Sequence, residues 1–168
     1  SSDFFDLGGQ ELYVSRTGFT NELGFEIFSD GFKTDHLALW DHLIECGKPY
    51  GMQFSASRAM TIRRIEGGIL GNLTDIDTTI TPFEAGLGYF VNMDKDFIGK
   101  DALVHKDKRS CLFGITCKTA IPSAKSKIKF NGMNIGYITA GVPSPTLQKG
   151  IGYVRFYNPD DWEGKEVE

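Results

Sequence analysis

An α+β fold in two parts is what the sequence predicts, and three observations predict it. Helix caps and helical spacing are confined to the first half, short strands with hairpin signals fill the second, and a strand-turn-strand run over residues 13–27 stands near the start. The division is expected at Thr81/Pro82, with residues 1–81 an α/β part and residues 82–168 a small antiparallel β-barrel.

Taken in order, residues 1–10 carry a glycine pair among acidic residues and are expected to be a loop. In the run that follows, Leu12 and Val14 point one way and Tyr13 and Ser15 the other. After a turn over residues 17–24, Phe25 and Ile27 oppose Glu26 and Phe28. Glu26 is thus a carboxylate set among aromatic residues, where burial without a partner is unfavourable. Thr34 is expected to cap a helix reaching Cys46, with Leu37, Trp40, Leu43 and Ile44 as its apolar stripe and Gly47 and Pro49 as its stop. A second helix is expected over residues 57–66, capped by Ser57 and ended by Gly67 and Gly68. Ala59, Ile62 and Ile65 would face a sheet, leaving Arg58, Arg63 and Arg64 outward.

Residues 71–81 read as a polar connection in which Asp75 and Asp77 lie on a solvated turn, because no EF-hand spacing follows the Asp-x-Asp pair. Residues 90–100 are expected to finish a strand before a short helix over residues 100–106. Strands are then expected over residues 111–118, 128–130, 133–139 and 151–156, with Pro143, Pro145 and Pro159 as breakers. Asn131-Gly132 is a type I′ hairpin signal, since both central positions need positive φ. Residues 165–168 read as the start of a strand.

Composition excludes several classes. A net charge of −4 gives no general attraction to nucleic acid or to an anionic membrane. No apolar run approaches a membrane span, and residues 1–9 lack the build of a signal peptide, so a cytoplasmic setting is expected. Cys46, Cys111 and Cys117 are odd in number and lack CxxC spacing; all three are expected to be reduced packing residues. His36 and His42 do not share a helix face, and no metal site is expected. Nor does the chain carry a nucleophile elbow, an HExxH or a nucleotide loop.

Three colinear segments carry a family resemblance: SRTGFTNELGFEI, RRIEGGILGNLTDIDTTITPFEAGLGYFVNMDKDFIGKDAL and VPSPTLQKGIGYV. Together they resemble the glycine cleavage T-protein (aminomethyltransferase) family, which includes folate-dependent demethylases such as dimethylsulfoniopropionate demethylase. The resemblance implies that the chain is the C-terminal half of such a protein: the end of a T-protein-like α/β folate-binding domain over residues 1–81, then the C-terminal barrel domain over 82–168. It implies tetrahydrofolate as cofactor, a one-carbon donor as substrate and possible work with a lipoyl carrier protein. An aspartate that steers the transfer is expected in the N-terminal half, so no catalytic residue is expected here.

For the site, the resemblance places Glu26 on the glutamate that hydrogen-bonds the pterin, which suits a carboxylate accepting two N–H bonds from the amino-pyrimidinone edge. Phe19 stands where many relatives have Tyr, so it can pack on the ring without donating a phenol bond. Arg58 is the candidate for the folate or substrate carboxylates, although counting back from Glu66 puts the family's arginine on Met60. Three functions stay open: aminomethyl transfer, demethylation of an N-methyl amine or a sulfonium, and folate-binding regulation without transfer. GNLTDI and GLGY, in place of the YGHDI and GLGW usual in glycine-cleavage members, keep the first two level.

Overall fold

A glycine pair turns the first residues of the chain into a strand. In the computed structural model, which describes residues 1–168, β1 (Ser2–Asp6) pairs antiparallel with β2 (Glu11–Ser15), and β2 pairs with β3 (Glu26–Phe28). The loop expected over residues 1–10 is therefore a hairpin. Gly8 and Gly9 both take positive φ, 69° and 81°, and the Asp6 carboxylate accepts the Gly9 amide across the turn. Phe4 meets Tyr13 edge to face at 5.2 Å, the cross-strand pair that holds an otherwise exposed arm.

Two units divide the chain by contact density, Ser1–Arg64 and Ile65–Glu168. In the first, α1 (His36–Gly47) begins one residue later than expected: Asp35, not Thr34, is the cap, and its carboxylate accepts the Ala38 amide at 3.0 Å. Gln10 clasps the same residue, accepting the Asp35 amide at 2.8 Å and donating to its carbonyl at 3.1 Å. The apolar stripe holds at its C-terminal end, where Leu43 and Ile44 are half-buried, but not at its start: Leu39 is the buried residue, while Leu37 is 80% exposed and Trp40, itself exposed, meets Phe54 edge to face. Cys46 is exposed rather than packed, whereas Cys111 is buried and Cys117 half-buried. Gly47 stays helical, and the stop comes at Gly51, in the left-handed region after a 3-10 turn over Lys48–Tyr50.

The second helix, α2 (Ser57–Glu66), has the expected bounds but a different cap. The Ala56 carbonyl accepts the Ala59 and Met60 amides, so Ser57 is already inside the first turn. Arg64 is buried and Ala59 exposed, the reverse of the expected faces, while Ile65 is buried as expected.

In the second unit a four-stranded antiparallel sheet runs in the order β4-β7-β6-β5, from β4 (Leu112–Cys117), β5 (Lys127–Phe130), β6 (Met133–Ser144) and β7 (Lys149–Phe156). The fold is α+β, with helices before the antiparallel part. Asn131 and Gly132 turn β5 into β6 with φ of 52° and 77°, as the dipeptide predicts. Ile128, Ile138, Val154 and Phe156 form the core, and Trp162 stacks on Phe156 at 4.4 Å. Gly141 and Gly150 are required by close approach, because a Cβ at either would overlap the carbonyl of Pro122 or Ala120 passing over the sheet. Pro143 lies inside β6 rather than ending it. The ladder with β5 ends at Tyr137 and backbone bonds on that side at Ile138, which pairs with Lys125 and Ser126, so at Pro143 β7 is the paired strand and a missing N–H is tolerated. No strand forms over residues 90–100; a 3-10 turn at Gly88–Phe90 leads through bends to α3 (Lys100–Val104). Residues 165–168 form no strand, yet Glu168 and Lys129 exchange both backbone bonds.

Residues 66–84 form a strap fastened to this sheet by polar groups. Glu66 accepts from the Ser144 hydroxyl at 2.5 Å and from the Thr146 amide and hydroxyl. The Tyr153 hydroxyl donates to the Ile69 carbonyl, and Arg155 donates to Thr79 at 2.9 Å with Asp77 at 3.6 Å. The Glu84 carbonyl takes the Cys111 and Leu112 amides. Asp75 overturns its sequence reading. It is 1% exposed, not a solvated turn residue, and accepts the Gly71 amide at 2.8 Å and the Thr139 hydroxyl at 2.6 Å. Thr139 is the extra residue of a β-bulge, between Ile138 opposite Val154 and Ala140 opposite Tyr153.

Thr81 and Glu84 close the strap as a reciprocal pair, Thr81 N–H to the Glu84 carboxylate at 2.8 Å and Glu84 N–H to the Thr81 hydroxyl at 3.2 Å. The Thr81 amide, and after it the Thr81 side chain, hold Glu84 below the ordinary value of 4.5. Burial pushes the Cys111 thiol up, with Glu84 adding to it, which keeps that cysteine protonated and unreactive.

Two outcomes follow. Thr139→Val takes one donor from the buried Asp75 carboxylate and should lower stability by about 1.5–3 kcal/mol in chemical denaturation; an unchanged midpoint would show the bond to be dispensable. Because Glu84 has a depressed native pKa, its contribution is full above the unfolded value and is lost as pH falls through the native one. In an NMR titration Thr81→Val should move the Glu84 midpoint up toward 4.5.

Candidate functional site

The turn over residues 16–25 joins β2 to β3 and holds Phe19, and Glu26 follows it as the first residue of β3. Asn21 supplies its left-handed position at φ 58°. The Thr17 hydroxyl donates to the Glu26 carboxylate, closing the turn at its base. Strand register puts Glu26 opposite Ser15, which lies opposite Ser2, and the Ser2 and Ser15 hydroxyls are 3.0 Å apart. Glu26 therefore stands on a small polar row beside the aromatic row of Phe4, Tyr13 and Phe28. It is exposed in this chain, as is Phe28.

Cations flank the turn on two sides. The Arg64 guanidinium lies 5.9 Å from the Phe19 ring centroid, and Arg16 lies 5.3 Å from that of Phe25. Glu22 forms an ion pair with Arg63, so both arginines that end the first unit bear on the turn. Phe19 is thereby held against α2 by its face.

Arg58 is not brought to this turn in the same way. It sits exposed in the first turn of α2. A groove of about 690 Å³ lies between Thr20 of the turn and the start of α2, and it is lined by Phe54, Ala56, Ser57, Met60 and Arg63 among others. Met60 lines this groove, and so does the cation Arg63, while Arg58 does not. Thr17, Arg63 and Arg64 are the contributors that sequence reasoning passed over. Helical spacing was a usable signal for the arginines: Met60 and Arg63 are three apart and share a face. On the opposite sheet face, Phe5, Leu7, Val14, Phe25 and Ile27 line an apolar groove of about 350 Å³.

The family model for the GCVT N-terminal domain matches residues 1–95. An aminomethyltransferase of Alkaliphilus oremlandii is 41% identical over 152 residues, covering 88% of this chain and 41% of its own length. One from Caldanaerobacter subterraneus is 39% identical over 156 residues, covering 89% and 41%. The crystal structure of glycine cleavage system aminomethyltransferase T from Bartonella henselae superposes with a TM-score of 0.75 at 27% identity, covering 93% of this chain and 44% of that one. The chain thus spans about two fifths of the length of the curated relatives it matches. No helix is long and apolar enough to cross a membrane.

Glu22 and Arg63 are both substantially exposed, with 61% and 42% of their side chains open to solvent. Glu22→Gln should therefore change stability by less than about 1 kcal/mol in chemical denaturation; a larger loss would mean that the pair is desolvated.

Proposed function

This chain belongs to the glycine cleavage T-protein family, and from that premise we propose that the full-length polypeptide carrying it is a tetrahydrofolate-dependent one-carbon transferase. The observation that carries the reading is the placement of Glu26 and Phe19 on one braced turn inside the stretch that matches the family. On this reading residues 1–81 end the folate-binding domain and residues 82–168 form the C-terminal barrel domain.

Glu26 accepts the N–H groups of the pterin amino-pyrimidinone edge, for which a carboxylate offers two oxygens at matching separation. Phe19 packs on the flat ring system. The carboxylates of the folate tail meet a cation at the α2 end of the groove: Arg58 by the family resemblance, Arg63 by the lining of the groove. Transfer itself belongs to an aspartate outside these residues, so the isolated 168-residue piece has no transferase activity. The one-carbon donor in the leading reading is an aminomethyl group on a lipoyl carrier protein, giving methylene-tetrahydrofolate and ammonia.

A second reading rests on this chain's own departures, Phe19 for tyrosine and Asn72-Leu73-Thr74 before Asp75. Asp75 is buried in the scaffold, whereas Leu73 is 84% exposed with a φ of 64°, so the second departure falls on an exposed turn. Here the donor is an N-methyl amine or a sulfonium such as dimethylsulfoniopropionate, and the product is methyl-tetrahydrofolate. Assaying the full-length protein for the two folate products decides between them. Ammonia release that depends on a lipoyl carrier would exclude demethylation, and folate binding with neither product would point to a regulatory protein. Glu26→Gln keeps the shape but puts a donor where an acceptor is needed, and should weaken tetrahydrofolate binding by roughly 1–3 kcal/mol in calorimetry. Unchanged affinity would make Glu26 an ordinary sheet residue.

A further inference from the structure

Glu26 is exposed, and an exposed glutamate has three rotatable side-chain bonds that folding leaves free. Its carboxylate plane would wander, and a ligand that needs both oxygens in one plane would have to order it on binding. The structure supplies a restraint. Thr17, at the other end of the turn, donates its hydroxyl to Oε2 of Glu26. This bond occupies one lone pair of one oxygen and leaves Oε1, with the second lone pair of Oε2, for incoming donors.

Thr17 itself is well placed to be a fixed point. It follows β2, whose pairing with β1 is continued by the bond from the Arg16 amide to the Ser1 carbonyl at 3.1 Å. The turn between Thr17 and Glu26 is braced on its far side by the Glu22–Arg63 pair and by Arg64 over Phe19. We infer that Thr17 is a positioning residue, orienting the Glu26 carboxylate toward a donor-donor edge such as that of a pterin. The inference rests on reading Glu26 as the pterin acceptor. Its chemistry is specific: a hydroxyl is needed, and the methyl group of threonine is not.

The test measures binding of 5-formyltetrahydrofolate, an oxygen-stable probe, by calorimetry on the full-length protein. Thr17→Val removes the hydroxyl at constant shape and should weaken binding roughly tenfold, about the worth of one charge-assisted hydrogen bond. Thr17→Ser keeps the hydroxyl and should bind like the parent. Since Thr17 acts through Glu26, the Thr17→Val/Glu26→Gln double variant should be no weaker than Glu26→Gln alone. Additive losses would assign Thr17 a merely structural role and overturn the inference. So would parental affinity in Thr17→Val alongside weakened Glu26→Gln, an outcome that leaves the pterin reading intact. Parental affinity in Glu26→Gln would instead remove the pterin reading and the inference with it. Thermal unfolding checks that each variant is folded, and Thr17→Ala replaces Thr17→Val should the latter not fold.

Discussion

A carboxylate at 1% exposure can persist only if its surroundings supply donors, and Asp75 is the group on which the second unit turns. Its two oxygens take the Gly71 amide and the Thr139 hydroxyl, fixing at once a tight turn of the strap and the bulge of β6. A slip of one residue in either element would leave a buried charge short of donors, a loss of several kcal/mol rather than tenths. The other fastenings, from Glu66 at one end to Glu84 at the other, repeat the device with weaker groups.

This explains why the segments that carry the family resemblance are so far apart in sequence. Glu66 of RRIEGG meets Ser144 and Thr146 of VPSPTLQKG, and Asp75 of the NLTDI stretch meets the strand that leads into it. In the structure their polar atoms are spent on each other, which makes them scaffold.

The turn over residues 16–25 obeys the opposite logic. Its polar and charged groups are exposed, its base is closed by the local Thr17–Glu26 bond, and its aromatic rings offer their faces to cations. Two paired strands fix its ends, so a short stretch of irregular backbone can still hold side chains at set positions. Rigid ends with accessible side chains are what a binding turn requires.

From the sequence alone came the α+β class, the β2-turn-β3 run, the bounds of α2, and the Asn131-Gly132 hairpin. All rest on interactions between residues close in the chain: alternation, helical spacing, and backbone angles that only certain residues accept. The pairing of Glu26 with Phe19 on one turn was legible for the same reason. Lost were the hairpin arm of β1, the burial of Leu39 in α1, the burial of Arg64 and Asp75, and the pairing of Arg63 with Glu22. Each depends on which distant residue arrives beside it. Asp-x-Asp reads as a wet turn until Thr139, 64 residues away, donates a hydrogen bond to Asp75. Whether a polar residue is solvent-facing, structural or site-forming is decided by its partner, and only tertiary structure chooses partners across such separations.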